Sequence, residues 1–280
     1  MTAPTGGTAA ALDAARAERR AALIVYLPVG YPDVDGSIAA ARAAVEAGAD
    51  IVELGLPYSD PGMDGVVIQQ AAQAALDGGT RIADVFRAVR EVAATGAPTL
   101  VMTYYNPVLR YGVDRFATDL AAAGGAGLIT PDLIPDEAGQ WIAAADAHDL
   151  DKVFLVAPSS TTERLHLTAA ACQGFVYAAS TMGVTGTRAA VGAKAEGLVA
   201  ATRAAGGERV CVGLGVSTGE QAAEVASYAD GVIVGSALVR TLIDAGSDRE
   251  AGLAALREKV AELAAGVRAG ARPQAAEPSR

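Results

Sequence analysis

Eight short apolar runs, each separated from the next by an alanine-rich stretch of helical spacing, constrain this chain more than any other feature. The runs lie at 22–26, 51–56, 99–104, 126–129, 153–156, 175–178, 210–212 and 231–234, and the helical stretches at 36–47, 81–94, 114–123, 136–147, 162–171, 189–204 and 219–227. Short uncharged runs bounded by turn residues suit strands buried on both faces, whereas apolar spacings of three and four suit helices. Ser160-Thr-Thr-Glu163, Ser217-Thr-Gly-Glu220 and Ser247-Asp-Arg-Glu250 match the capping-box pattern and mark helix starts. The alternation makes an α/β fold, and eight units in roughly 260 residues favour a closed (β/α)8 TIM barrel over an open doubly wound sheet.

An extra N-terminal helix near 12–22 is placed to plug the barrel floor, an added helix at 66–75 follows the second strand, and 253–267 closes the ring. A single catalytic domain over residues 8–270 is expected. The flanking tails, 1–7 and 271–280, are polar or proline-containing with nothing to bury, and are expected to be flexible.

Composition narrows the function classes. The chain is 51% hydrophobic, yet no run reaches the roughly 18 uncharged apolar residues of a membrane span. Its start lacks the basic and apolar regions of a signal peptide, so the cytoplasm is expected. A net charge of −10 without a basic stripe would repel nucleic acid. Cys172 and Cys211 read as small buried hydrophobes, and His148 and His166 as residues of solvated helix faces. No disulfide framework, metal centre or histidine triad is indicated.

The segment 51–65 carries the clearest chemical signal. Glu53 interrupts an apolar strand, where lost hydration raises a carboxyl pKa toward the range of a general acid/base. Asp60 and Asp64 follow in a loop punctuated by Pro57, Pro61, Gly62 and Gly65. On the residues alone Glu53 is either such a catalyst or a paired structural carboxylate, and the aspartates are either substrate contacts or turn formers.

A barrel places its active site where the strands end, which makes Tyr26, Tyr104, Tyr105, Asn106, Asp132, Tyr177 and Ser180 further candidates, with rim packing the plainer role for each tyrosine. Glycines cluster after the last three strands, in Gly183-Val-Thr-Gly186, Gly213-Leu-Gly215 and Gly235-Ser236. Glycine lets backbone amides approach an anion, and barrel phosphate sites commonly use the loops after strands seven and eight. Lys152 begins a strand and Lys194 sits in a helix, so a lysine Schiff base is disfavoured. The residues thus describe a phosphosugar-type barrel enzyme with two candidate acids and an aromatic, histidine-free pocket.

The stretch Glu53-Leu-Gly-Leu-Pro-Tyr-Ser-Asp-Pro-Gly-Met-Asp-Gly65, followed by Ile68-Gln69, closely resembles the signature of the alpha chain of tryptophan synthase. The similarity runs from about residue 15 to 267 and includes Gly30-Tyr-Pro-Asp33, Met102-Thr-Tyr-Tyr-Asn-Pro107, Asp132-Leu133, 177–186, Gly213-Leu-Gly215 and Gly235-Ser236. The sequence departs from the usual pattern at Gly62, Val66, Ile134 and Thr181.

The resemblance implies retro-aldol cleavage of indole-3-glycerol phosphate to indole and glyceraldehyde 3-phosphate, the alpha-subunit step at the end of tryptophan biosynthesis, without a cofactor in this chain. It implies Glu53 as general acid/base and Asp64 as the carboxylate that receives the indole N–H. Tyr26, Tyr104 and Tyr177 would line the pocket, and Thr185, Gly186, Gly215, Gly235 and Ser236 would bind substrate, the glycines and serine as a phosphate cradle. Asp60 and Asp132 would belong to partner and lid loops. The implied partner is a pyridoxal-phosphate beta chain in an αββα tetramer; a stand-alone lyase releasing free indole is the alternative.

Overall fold

The computed structural model describes residues 7–179, 188–213 and 215–270. Eight parallel strands close into a barrel in sequence order: β1 (Ala22–Pro28), β2 (Ile51–Gly55), β3 (Thr99–Met102), β4 (Gly127–Thr130), β5 (Asp151–Val156), β6 (Val176–Ala179), β7 (Val210–Gly213) and β8 (Gly231–Val234). The expected (β/α)8 barrel is therefore the fold, with each strand within two residues of its predicted limits.

The helices are α1 (Thr8–Ala17), α2 (Val34–Glu46), α3 (Val66–Asp77), α4 (Ile82–Ala93), α5 (Tyr105–Tyr111), α6 (Val113–Ala122), α7 (Gly139–Asp146), α8 (Thr162–Ala171), α9 (Arg188–Ala204), α10 (Gly219–Ala226), α11 (Ser236–Asp244) and α12 (Arg249–Ala269). No helix among the described residues is long and apolar enough to cross a membrane.

Three local expectations shift. The caps are Thr161, Thr218 and Asp248, each one residue later than the capping-box serines, because their side chains reach the amides of Arg164, Gln221 and Ala251. The predicted helix at 136–147 divides into a 3-10 turn (Pro135–Glu137) and α7, interrupted at Ala138. The third strand stops at Met102, and α5, unexpected from the sequence, starts at Tyr105.

Alternation along the strands builds two cores. One fills the space between barrel and helices, and includes Leu23, Val25, Val52, Leu54, Val101, Leu128 and Val232. The other fills the lower barrel with Ile24, Ile51, Leu100, Ile129, Val153, Phe175, Cys211 and Ile233, and Leu12 and Ala15 of α1 join it from below. α1 is the plug the sequence suggested, running over Thr8–Ala17 rather than 12–22.

Carboxylates secure that floor. Asp151 accepts hydrogen bonds from the Thr8 amide (2.9 Å) and hydroxyl, and Asp13 pairs with Arg209 at 2.7 Å. Asp230 accepts from the Val210 amide and pairs with Arg16 (3.0 Å) and Arg203 (2.9 Å). Lys152 also sits here, against Asp146 and Gln173, away from the strand C-termini.

Candidate active site

Above the inner core, at the C-terminal ends of the strands, a cavity of about 450 Å³ opens. Glu53, Asp64, Tyr26, Tyr177, Gly215, Gly235 and Ser236 all line it. The sequence therefore brings two acids, two phenols and the glycine-rich loops after β7 and β8 to one chamber.

Glu53 is fully buried. Strand β2 is apolar on both faces, and the period-two alternation that points Ile51 inward also turns Glu53 inward, toward the cavity. Neither carboxyl oxygen has a hydrogen-bond partner among the described residues. Burial pushes its pKa up to about 8, so the protonated acid predominates at pH 7. A carboxylate held in a structural ion pair would show such a partner, and none occurs among the described residues.

Asp64 is half-buried at the end of the β2–α3 loop, just before α3, and burial raises its pKa as well. Tyr26 neighbours Glu53 in the β1–β2 register. Its phenol is held above the usual value by burial, with the charges of Asp64 and Glu53 adding to the shift. Burial raises the Tyr177 phenol too, with Glu53 the next cause. Both are neutral hydroxyls at physiological pH, able to donate or accept.

Two inward glycines make room for these rings. A Cβ on Gly55 would stand 2.2 Å from the Tyr26 hydroxyl, and one on Gly213 would stand 2.4 Å from that of Tyr177. The sequence reading assigned Gly213 to a phosphate loop and gave Gly55 no role; the available signal was their inward position, two residues after Glu53 and Cys211.

Tyr104, Asp60 and Asp132 are not among the cavity-lining residues. The Tyr104 hydroxyl accepts a hydrogen bond from the Met63 amide at 2.8 Å, and its ring lies against Tyr58 at 5.2 Å. Asn106 donates to the Tyr58 hydroxyl at 3.2 Å, and Asp132 accepts from the Tyr105 amide at the start of α5. The loops after β2, β3 and β4 are thereby tied together beside Asp64. Asp60 is exposed and bonds only Ser59 among the described residues. Ser180, Thr185 and Gly186 lie outside the described residues.

Apolar walls complete the chamber: Met102, Leu155, Ile233, Val67 and Ile68 line it beside Pro131. The first three follow from strand parity, which the sequence carried but the candidate set omitted. Gly215 has φ +66°, a conformation suited to glycine, in the loop facing the cavity. At β8 the chain passes from Gly235 into the first turn of α11, leaving free amides at a helix N-terminus beside Ser236. One end of the chamber is therefore acidic and aromatic, and the loops after β7 and β8 suit an anion. No group of three or more His, Cys, Asp or Glu side chains that could hold a metal ion occurs among the described residues.

Residues 12–268 match the tryptophan synthase alpha chain family. The chain belongs to that family. It is 63% identical to the tryptophan synthase alpha chain of Mycobacterium marinum over 256 residues, covering 91% of this chain and 93% of the relative. It is 62% identical to that of Salinispora tropica over 258 residues, covering 92% and 96%. Among solved structures, Mycobacterium tuberculosis tryptophan synthase is similar with a TM-score of 0.86 and 57% identity, over 96% of this chain and 99% of that one. The alpha subunit from Legionella pneumophila superposes at 0.85 with only 30% identity, over 95% and 99%. Membership of the tryptophan synthase alpha family assigns the chain to tryptophan biosynthesis.

Proposed function

We propose that this chain cleaves indole-3-glycerol phosphate to indole and glyceraldehyde 3-phosphate as the alpha subunit of tryptophan synthase. The observation that carries the proposal is the buried, unpartnered Glu53 sharing a cavity with Asp64 and with the glycine-rich loops after β7 and β8. Protonated Glu53 delivers its proton to indole C3, giving an indolenine cation. Asp64 accepts the indole N–H and stabilises that charge. The resulting Glu53 carboxylate takes the proton of the hydroxyl next to the scissile bond; the C–C bond breaks, its electrons return to the ring, and an aldehyde leaves. A pKa of about 8 places one group within reach of both transfers. Gly215, Gly235 and Ser236, with Thr185 and Gly186, hold the phosphate.

The reaction requires no cofactor in this chain, and pyridoxal phosphate belongs to a beta-chain partner in an αββα assembly. Val66, Leu109 and Ile134 support such a partner: they are exposed at 79%, 50% and 42% on segments that follow β2, β3 and β4 in succession. Asp60 and Asp132 lie on the same loops. No observation favours the free lyase. The expected organisation is one catalytic domain, residues 8–270, in the cytoplasm.

The test is indole release from indole-3-glycerol phosphate by the purified chain, with and without a tryptophan synthase beta chain. Slow release that the beta chain accelerates supports the proposal, since a partner that binds the closed state raises its population. Rapid release indifferent to the beta chain points to the free lyase, and no release under either condition rejects the reaction.

A further inference from the structure

We propose that Arg240 is a binding residue for the phosphate of the substrate, supplying the positive charge that the backbone cradle lacks; the inference rests on the substrate proposed above. Among the described residues, Arg240 is the only lysine or arginine that lines the cavity. The same chamber carries Glu53 and Asp64, and the whole chain has a net charge of −10. Among the described lining residues, a phosphate dianion meets acids on one side and neutral amides and a hydroxyl on the other, unless Arg240 contributes.

Helix geometry directs the side chain to that place. Arg240 lies four residues after Ser236, so the two share one face of α11. Cα–Cβ bonds tilt toward the helix N-terminus, and a long side chain covers the turn preceding its own. For Arg240 that turn begins at Ser236. The guanidinium is also uncommitted: it is exposed and has no carboxylate within ion-pair distance among the described residues, whereas Arg16, Arg87, Arg164, Arg203 and Arg249 are each paired. A planar fork of N–H donors matches two phosphate oxygens, and a charge at the rim of an acidic chamber attracts the anion as it arrives.

The experiment compares wild type, Arg240→Ala and Arg240→Lys on indole-3-glycerol phosphate and on its dephosphorylated analogue, indole-3-glycerol. The alanine variant is expected to raise KM for the phosphate ester about tenfold, the equivalent of about 1.4 kcal/mol, with kcat changed less than about twofold. Turnover of the dephosphorylated analogue should be equal in all three proteins, and lysine should restore most of the affinity. The wild-type KM should also rise more steeply with salt than that of the alanine variant. An unchanged KM, or an equal loss on both substrates, overturns the inference, the latter making Arg240 a prop of α11. Titration with inorganic phosphate separates the two proposals. If wild type cleaves nothing yet binds phosphate about tenfold more tightly than Arg240→Ala, the reaction fails while the phosphate contact stands; equal affinities reject the contact.

Discussion

The hydroxyl of Tyr26 occupies the space that a side chain at Gly55 would need, 2.2 Å from where a Cβ would sit. On the other side of the ring, a Cβ on Gly235 would stand 3.1 Å from Cδ1. Tyr26 is thus seated between inward glycines of β2 and of the loop after β8, alongside Glu53. Gly55→Ala is expected to displace the ring, cost about 1–3 kcal/mol of stability through overpacking, and lower kcat/KM by about tenfold or more. In combination with Tyr26→Ala the stability cost of the glycine change should largely disappear. Denaturant unfolding of the four proteins of that cycle measures the coupling, and strict additivity would contradict it.

Glu53 sets a pH dependence of known sign. A carboxyl at about 8 in the folded state and near 4.5 when unfolded binds more protons in the native state between those values, so stability falls as pH rises through that window. Glu53→Gln removes the ionisable group. It should abolish indole release yet stabilise the protein at pH 8 by roughly 2–4 kcal/mol, with little gain at pH 4.5. Thermal unfolding across this range reads the effect. For wild type, kcat/KM should decline above about pH 8 as the acid form of Glu53 is lost.

Asp64→Asn keeps the shape of the loop but removes the charge that would stabilise the indolenine cation. Turnover is expected to drop by at least 10²-fold while substrate still binds, a pattern typical of lost transition-state charge stabilisation. Single-turnover measurements with a separate binding titration distinguish the two steps, and an active Asp64→Asn enzyme would remove Asp64 from the mechanism.

Tyr104→Phe tests the strut beneath Asp64. It deletes the acceptor of the Met63 amide while retaining the ring contact with Tyr58. The loop should loosen by about 1 kcal/mol. The Met63 amide should then exchange its hydrogen faster, and kcat/KM should fall several-fold without a change in the pH profile. Unaltered exchange at Met63 would refute the strut.

Most of the barrel was legible in the sequence because each strand is a short apolar run set off by turns, a pattern that survives without knowledge of its neighbours. α5 was not, because Met102-Thr-Tyr-Tyr105 continues the look of β3 and a seven-residue helix with Pro107 in its first turn carries no apolar stripe. The acids were readable for a similar reason: Glu53 is conspicuous as a charge inside an apolar strand. Gly55 and Gly213 act through volume they do not occupy, which becomes visible only when the opposing tyrosines are in place. Arg240 does not stand out in the sequence, because its relation to the cavity needs the course of α11.

The α1 plug turns the barrel into a blind well. With Leu12 sealed into the floor and Asp151, Asp13 and Asp230 anchoring the seal, the described residues leave Glu53 open toward the strand C-terminal end and closed below. Whatever forms at the bottom must leave through the doorway by which its precursor came in. A protein seated over that doorway would therefore become the first recipient of the outgoing molecule, with no back exit to compete for it.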